Sequence, residues 1–434
     1  MMIKAGEGLH KRKRGQQAMG ADRISKVLQT AKFIFYTVSI FIEDHLSFMI
    51  PISFNRSTDD LKKNPSKLID SIKDNLSIGE VESFDTYSVI REEHGKGQFI
   101  TGLQLTYLDG DSSSRTEDII VKFLSLKNEP LVLNALKSAL YSGLNREVEF
   151  YKGLSTKIPF VTAGCFYTHS IPVLYRAVIV MEALHPDCRV NDYNGCSAEQ
   201  TKAVLHNIAK MHAKFWERVF EDDTLQWIPD RHAVGYLWFL DYITKKEAVC
   251  KELWAALYKH FDGYPLTVGH GDCRPGNIMW YDDGSIALVD WQFANASLGT
   301  WDATYCMVMS IHEDIRRERE EEMINYYYDN LSASYKGYHS EEFSYSREQC
   351  IEDHHLLKLV LALYGWGALV THMFDRYGND PRDVRSWADR ITAAVTDLDS
   401  DFVASKLGIP ASVMDEFKII MSDARDMTKE RFVE

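Results

Sequence analysis

Three oxygen-bearing side chains recur at defined spacing in the segment Thr267–Trp291, which reads TVGHGDCRPGNIMWYDDGSIALVDW. Asn277 follows Asp272 by five positions, and Asp290 follows Asp272 by eighteen. Between Asn277 and Asp290, the turn sequence Asp-Asp-Gly at 282–284 separates two apolar runs and predicts a β-hairpin. Asn277 then lies at the mouth of one strand and Asp290 at the end of its partner. We therefore expect these side chains to lie side by side, with Asp272 on the loop just before them.

Such a group of oxygen ligands suits magnesium, a hard cation. Mg²⁺ is usually held by one or two carboxylates and takes its other ligands from waters and substrate phosphates. With Asn277 and Asp290 as ligands, Asp272 is available to act as a base. This is the arrangement of a kinase catalytic loop, where an Asp accepts the proton of a substrate hydroxyl. The alternative interpretation is a solvated turn rich in Asp and Asn.

The motifs HGDCRPGN (270–277) and Asp290-Trp291-Gln292 resemble the choline-kinase and aminoglycoside-phosphotransferase branch of the kinase-like fold. The Trp-Gln ending is most similar to the ecdysteroid-kinase-like (CHK-like) group within that branch, and the resemblance extends over residues 80–400. It implies an ATP-dependent phosphotransferase that moves the γ-phosphate to a hydroxyl of a small molecule. It also implies that Asp272 is the catalytic base and that Asn277 and Asp290 bind magnesium.

A kinase also needs a strand Lys near the nucleotide phosphates and a helix Glu that holds this Lys. Lys122, within the apolar strand sequence Ile-Ile-Val-Lys-Phe at 119–123, is the candidate for the first. The segment Arg146–Tyr151 resembles the helix motif of the family and places Glu147 in the ion-pair position. We therefore expect Lys122 and Glu147 to act with Asp272 in catalysis.

Two further segments are expected to bind the nucleotide. The turn with Gly95 and Gly97 precedes a strand and is assigned to the phosphates, although it departs from the GxGxxG pattern. The residues Glu182 and Ala183, after an apolar strand, resemble the connection between lobes, where backbone groups would bind adenine. A plain hairpin turn and a plain core strand are the alternatives.

Four other polar residues lie in or near these motifs. His212 lies on the apolar face of a predicted helix and is interpreted as a core histidine with satisfied hydrogen bonds. His270 is expected to shape the catalytic loop, and Asp302 matches a family residue that braces it. Arg274 could contact nucleotide phosphates, contact the acceptor or fix the loop, and these alternatives stay open.

The periodicity of the chain predicts an α+β fold with two lobes of kinase type. Strand signals occur between residues 86 and 181, whereas helical spacing prevails after about residue 198. We predict an N-terminal extension over 1–66, ending in a polar linker at 55–66. An N-lobe over 67–182 that binds the nucleotide phosphates would follow. The region 183–434 would form a helical C-lobe with the catalytic loop and the acceptor site.

Composition limits the classes of partner. The 434 residues carry a formal net charge of -14, which disfavours a nucleic-acid binder. Residues 1–32 alone hold eight basic and two acidic side chains, so they carry +6 and the remainder carries -20. Seven scattered cysteines without a CxxC pair indicate reduced thiols and a cytoplasmic location. The apolar run 33–52 is interrupted by Glu43 and Asp44, so we expect no membrane span, and contact of residues 1–52 with a membrane is the less favoured interpretation.

Two alternative functions remain at this point. A protein kinase would need an A-P-E motif and a longer activation segment than the roughly ten residues between Trp291 and Asp302 allow. A non-catalytic nucleotide-binding module on the same fold would be expected to lack some of the chemical residues, yet all are present. The sequence identifies neither the acceptor nor the oligomeric state.

Overall fold

The computed structural model describes most of the chain. It covers residues 58–63, 65–76, 81–87, 98–108, 113–124, 143–171, 176–228, 247–370 and 380–432. In the described part, an antiparallel β-sheet and the short helices around it come first, and long helices follow. The predicted phosphate turn with Gly95 and Gly97 lies outside the described residues, as does the charged and apolar segment 1–52.

Five antiparallel strands form the main sheet, in the order β1-β2-β3-β5-β4. They are β1 (Val81–Tyr87), β2 (Gln98–Leu108), β3 (Ser114–Leu124), β4 (Cys165–Ile171) and β5 (Arg176–Glu182). The central strand β3 pairs with β2 on one side and with β5 on the other.

The alternation of side chains along β3 decides what each face of the sheet contacts. Ile119, Val121 and Phe123 are fully buried on one face, together with residues of the two helices that precede the sheet. Because successive side chains of a strand point to opposite faces, Lys122 lies on the other face. It shares this face with Ile179, which lies directly across from it on β5 and packs into the core of the helical part.

Within the stretch 55–66 predicted as a linker, most of the described residues are helical. Residues Thr58–Lys63 form helix α1, and Ser66–Leu76 form helix α2. Leu61 of α1 and Leu68 and Ile72 of α2 are completely buried against the sheet. Leu61 is the only apolar residue of α1, and its packing stabilises a short polar helix that would be marginal by itself. The sheet therefore has a helical cover that begins before residue 66.

The helices that follow form the larger part of the structure. Helix α3 (Gly143–Glu149) lies next to the sheet, contacts β4 and β5, and continues into a π-helical turn at Phe150–Leu154. The later helices are α4 (Ala198–Phe215), α5 (Ala248–His260), α6 (Trp301–Ser310), α7 (Glu313–Tyr338), α8 (Arg347–Val370), α9 (Pro381–Thr396), α10 (Ser400–Leu407) and α11 (Ala411–Arg431).

Helix α4 is typical of how the sequence specifies these helices. Its N-terminus carries a capping box in which Ser197 and Gln200 bond each other's backbone N–H groups. Val204, Ile208, Met211 and Phe215 recur at three- and four-residue spacing, and all are buried. This face packs against α6 and α7, and thereby places α4 behind the loop that contains His270 and Asp272.

Two small antiparallel pairs lie between α5 and α6. Strand β6 (Leu266–Gly269) pairs with β9 (Asn295–Leu298), and β7 (Ile278–Trp280) pairs with β8 (Ile286–Leu288). The predicted hairpin is confirmed, because Ile278 lies opposite Leu288 and Gly284 adopts φ +81° in the turn. The segment between β6 and β7 is the loop with the HGD motif.

The described architecture confirms the predicted fold class. It is α+β, with an antiparallel sheet in the N-terminal part, a helical C-terminal part and a short hairpin at their junction. Among the described helices, none combines the length and the apolar character that a bilayer-crossing segment requires.

Candidate active site

The side chain of Lys122 lies between two carboxylates that are far apart in the sequence. Its Nζ is 2.6 Å from Oε2 of Glu147, on α3, and 2.6 Å from Oδ1 of Asp290, two residues after β8. The side chains of Lys122 and Glu147 are only 4% and 1% exposed. A buried charge needs partners of opposite sign, and the sheet, α3 and the hairpin together provide them. The structure thus brings together three of the residues that the sequence singled out.

Burial and neighbouring charges shift the pKa values within this cluster. For Lys122, burial lowers the pKa, but the attraction of Asp290 and Glu147 outweighs it, and the net pKa is raised. For Glu147, burial raises the pKa to about 7 against the opposing effect of Lys122. Lys122 therefore keeps its positive charge at neutral pH, which a side chain that pairs with phosphate oxygens requires.

Trp291 links Asp290 to helix α3. Its ring stacks on Phe150, with centroids 4.0 Å apart and planes 10° from parallel, and both rings are fully buried. Its backbone N–H also bonds the Glu147 carboxylate. Asp290 itself adopts φ +67° and ψ +61°, a left-handed conformation that is costly for a residue other than glycine. The stacked pair, the bond to Lys122 and a 2.9 Å bond from Gln292 Nε2 to Asp290 Oδ2 restrain this residue.

Asp272 is buried and accepts hydrogen bonds from three side chains. Asn277 Nδ2 donates to Oδ2 at 2.8 Å, and the Tyr305 hydroxyl donates to Oδ1 at 2.8 Å. Arg274 Nε lies 3.4 Å from the same carboxylate. A carboxylate has about four lone-pair directions, so a further donor such as an acceptor hydroxyl can be accommodated. The three donors fix the direction in which that donor would be received.

Asp302, at the start of α6, holds the backbone of the catalytic loop. Its Oδ2 accepts from the His270 N–H at 2.6 Å and its Oδ1 accepts from the Gly271 N–H at 2.9 Å. Gly271 adopts φ +83°, and a Cβ there would lie 2.5 Å from the carbonyl oxygen of Phe293. Position 271 therefore requires glycine, and the two hydrogen bonds to Asp302 hold the turn in place.

His270 connects the catalytic loop to the end of β8. Its Nδ1 accepts the backbone N–H of Asp272 at 3.2 Å, and its Nε2 lies 3.0 Å from the carbonyl oxygen of Val289. Because a carbonyl only accepts, Nε2 carries the hydrogen and the ring is neutral in this arrangement. The ring also packs edge-on against Trp291. His270 thus shapes the loop and is bonded on both ring nitrogens.

Arg274 fixes the loop rather than extending into solvent. Its guanidinium forms an ion pair with Asp192, a buried residue before α4, and lies over the ring of Trp387 on α9, 5.5 Å from the centroid. Asp192 also accepts the Gly276 N–H at 3.1 Å. The sequence left open whether Arg274 contacts nucleotide phosphates, contacts the acceptor or fixes the loop. The structure shows contacts that fix the loop.

Asn277 and Asp290 lie at the same end of the β7–β8 hairpin. The Val289 N–H donates to the Asn277 carbonyl at 3.0 Å, so Asp290 is one residue beyond the position opposite Asn277. Asn277 Nδ2 is used by Asp272, which leaves the amide oxygen for a cation. Among the described residues, no three His, Cys, Asp or Glu side chains cluster as a metal site. The Asp290 oxygens accept from Lys122 and Gln292, and a carboxylate oxygen can accept a hydrogen bond and bind a cation together. One amide and one carboxylate oxygen therefore fit Mg²⁺, which takes its other ligands from water and phosphate.

The connector residues Glu182 and Ala183 use their N–H groups inside the protein. The Glu182 N–H donates to the Gly164 carbonyl at 2.8 Å, and the Ala183 N–H lies 3.4 Å from the Asp118 carbonyl. The Glu182 side chain accepts the Gly164 N–H at 2.9 Å. Both residues line a cavity of about 720 Å³ that also includes Leu184 and residues of the β7–β8 turn. A purine bound at this connector would therefore contact carbonyl groups or the residues that follow.

Sequence reasoning did not single out Tyr305 and Asp192. Tyr305 follows Asp302 by three positions on α6, so both lie on the same side of that helix and both contact the catalytic loop. This spacing was the available signal. Asp192 lies in a stretch without regular structure, and nothing in the sequence relates it to Arg274, which is 82 residues away.

The described residues place a sheet Lys between a helix Glu and a hairpin Asp, and helix α6 holds the HGD loop through Asp302. Residues 239–339 match the family model of the ecdysteroid kinase-like family. The resemblance drawn from the motifs is confirmed by this match. No curated protein is matched by the sequence of this chain.

Three solved structures of low sequence identity are similar to this chain over most of its length. Ethanolamine kinase from Plasmodium vivax is 12% identical, with 82% of this chain and 97% of the other covered, at a TM-score of 0.47. Choline kinase LicA from Streptococcus pneumoniae is 14% identical, with 77% and 99% covered, at a TM-score of 0.44. Amicoumacin kinase hAmiN, solved with AMP-PNP, Ca²⁺ and amicoumacin, is 13% identical, with 83% and 96% covered, at a TM-score of 0.44.

Proposed function

We propose that this protein is an ATP-dependent phosphotransferase that acts on a hydroxyl group of a small molecule. The observation that carries the proposal is the position of Lys122, whose Nζ is 2.6 Å from both Glu147 and Asp290. A buried cation of this kind, held by a helix carboxylate next to a hairpin carboxylate, is the phosphate-neutralising part of a kinase site. The match to the ecdysteroid kinase-like family supports the same class.

In this proposal each residue has one task. Lys122, held by Glu147, pairs with the α- and β-phosphate oxygens. Asp272 receives the proton of the acceptor hydroxyl as its oxygen forms a bond to the γ-phosphorus and the bond to ADP breaks. Asn277 and Asp290 hold magnesium, which, when bound, neutralises charge on the phosphates. Most of the rate enhancement then comes from positioning and charge stabilisation.

Two segments contact the nucleotide in this proposal. Gly95 and Gly97 cover the phosphates, and the connector at Glu182 and Ala183 contacts the purine through its backbone. Because both connector N–H groups are already used, we assign the connector's contribution to carbonyl oxygens. The acceptor is a small hydroxylated molecule whose class is open.

The test is ATP consumption by the purified protein with magnesium across a panel of hydroxylated compounds. The panel contains ecdysteroids and other sterols, choline and ethanolamine, aminoglycosides, and macrolides. Asp272→Asn is assayed in parallel, since Asn keeps the size of the side chain but cannot take up the proton. Stimulation by one chemical class, lost in the variant, is the expected result and names the acceptor.

Nucleotide binding separates the alternatives. Titration of ATP into the protein with and without magnesium is followed by calorimetry. Binding without turnover on any acceptor would favour a non-catalytic nucleotide-binding module. Absence of ATP binding in both conditions would contradict the proposed function outright.

A further inference from the structure

The buried hydroxyl of Tyr327, on α7, lies between a backbone carbonyl and the ring of His212. This hydroxyl donates to the carbonyl oxygen of Gly299 at 2.5 Å, and His212 Nδ1 lies 2.7 Å from the same hydroxyl. A phenol has one hydrogen, and a carbonyl can only accept. The hydrogen of Tyr327 is therefore committed to Gly299. The bond between His212 and Tyr327 must then use a hydrogen on Nδ1 of His212.

The second ring nitrogen of His212 faces a carboxylate. Nε2 lies 3.3 Å from Oδ2 of Asp302, and both side chains are completely buried. Asp302 also accepts the N–H groups of His270 and Gly271, one on each oxygen. An unprotonated Nε2 at this distance would place a lone pair against a carboxylate oxygen. A hydrogen on Nε2 turns the contact into a charge-assisted hydrogen bond.

We propose that His212 is doubly protonated at neutral pH and that this buried imidazolium positions the catalytic loop through Asp302. The cation holds the carboxylate that in turn holds the backbone of His270 and Gly271. The core histidine expected from the sequence is thus a positioning residue for the loop with Asp272. The assignment concerns the loop of the proposed function, but its test reads the imidazole ring and needs no turnover.

The surroundings of His212 support a charge on the ring. The Asp302 carboxylate accepts the backbone N–H groups of His270 and Gly271, one on each oxygen, and hydrogen bonds of this kind favour its ionised form. Burial raises the pKa of Tyr327 well above its ordinary value, so the phenol on α7 is neutral. Burial likewise raises the pKa of the Cys350 thiol on α8, beside Tyr327. The negative group that faces the ring is therefore Asp302.

The experiment is ¹⁵N NMR of the full chain labelled at histidine, with two-bond proton correlations at pH 6, 7 and 8. The His212 ring is assigned as the signal lost in His212→Gln. If that variant does not fold, Tyr327→Phe identifies the ring instead, because it perturbs Nδ1 first. His270 is the internal reference, since its contacts fix a neutral ring with hydrogen on Nε2 only.

The expected result is that both nitrogens of His212 resonate as protonated at pH 7, while His270 shows one protonated and one unprotonated nitrogen. In Asp302→Asn the carboxylate is removed, so His212 should lose one proton at pH 7, and the His270 signals should move as the loop loosens. An unprotonated nitrogen on His212 in the native protein at pH 7 would overturn the proposal. So would a His212 that stays doubly protonated, with unchanged His270 signals, in Asp302→Asn.

Discussion

The hydroxyl of Tyr305 donates a 2.8 Å hydrogen bond to Oδ1 of Asp272 across the space between helix α6 and the catalytic loop. Asn277 donates to the other oxygen of the same carboxylate. The two donors restrain rotation of the carboxylate about its Cβ–Cγ bond. Tyr305 is buried, so this bond is not exchanged readily for one with water.

Replacing Tyr305 with Phe removes the hydroxyl and keeps the packing of the ring. We expect kcat on the acceptor identified by the panel to fall by about 10- to 100-fold, as expected for loss of a hydrogen bond to a charged group worth about 1.5–3 kcal/mol. The KM for ATP should stay within about twofold, because Tyr305 touches the carboxylate of Asp272 and not the Lys122 cluster. Tyr338→Phe, at an exposed ring on α7, is the matched control. An unchanged kcat in Tyr305→Phe would show that the bond does not orient Asp272.

Asp290→Asn should abolish magnesium-dependent nucleotide binding while leaving the fold intact. Asn tolerates the left-handed backbone that Asp290 adopts, and Lys122 keeps its partner Glu147. We expect turnover to fall by at least about 100-fold, since the charge that holds the metal is lost. Calorimetric titration of ATP with and without magnesium measures the effect, and thermal unfolding checks the fold. The control is Asp423→Asn at an exposed position on α11, which should behave as the native protein. Near-native turnover in Asp290→Asn would contradict the metal assignment.

Gly299→Ala should destabilise the protein. A Cβ at this position would overlap the ring carbons of Trp216, which is itself buried against Phe343 and Tyr345. Overpacking of a close-packed core costs about 1–3 kcal/mol, and denaturant unfolding should show a loss of this size.

Gly337→Ala, near the end of α7, is the matched control for Gly299→Ala. A Cβ at position 337 meets no atom within 4 Å. Because alanine favours the helix over glycine by about 0.5–1 kcal/mol, this variant should be as stable as the native protein or more so. Equal changes in the free energy of unfolding for the two variants would contradict the predicted overlap with Trp216.

Asp353 makes stability depend on pH in a defined direction. Burial raises its pKa to about 6 from an ordinary value of 3.8, although Tyr345 and Gln349 donate to the carboxylate and oppose the shift. The folded state therefore favours the protonated form, so this contribution to stability is present below pH 3.8 and is lost as the pH rises through about 6. A shift of this size corresponds to at most about 3 kcal/mol.

Asp353→Asn removes the titration and keeps a group that can accept from Tyr345. The free energy of unfolding of the native protein, minus that of the variant, should therefore decrease between pH 4.5 and 7 and then level off. Denaturant unfolding of both proteins across this pH range measures the difference. A difference that is flat, or that increases with pH, would contradict the raised pKa.

The sequence was most informative where a local rule links residue type to structure. Two apolar runs around Asp282-Asp283-Gly284 specify a tight hairpin, and the hairpin is present with Ile278 opposite Leu288. The alternation in β3 places Lys122 opposite the face that buries Val121. Such features depend on neighbours in the chain, so they can be predicted without the fold.

Part of the stretch expected to be a linker, residues 58–63, is helical in the structure. The polar composition of this stretch is typical of a loop, yet α1 forms because Leu61 packs against the apolar face of the sheet. The propensity of a short polar segment is weak, and tertiary packing decides it. A sequence pattern within 55–66 carries no information about that distant surface.

The sequence by itself determined the chemical groups and their placement on local elements: Asp272 on a loop, Asn277 and Asp290 at the ends of paired strands, Lys122 on a strand and Glu147 on a helix. Only the tertiary structure decided which groups restrain them. Tyr305 donates to Asp272, Asp192 pairs with Arg274, and Tyr327 and Asp302 bracket His212. These contacts join residues far apart in the chain, and buried polar groups must find their partners wherever packing brings them. Packing is a property of the whole fold, and no local pattern encodes it.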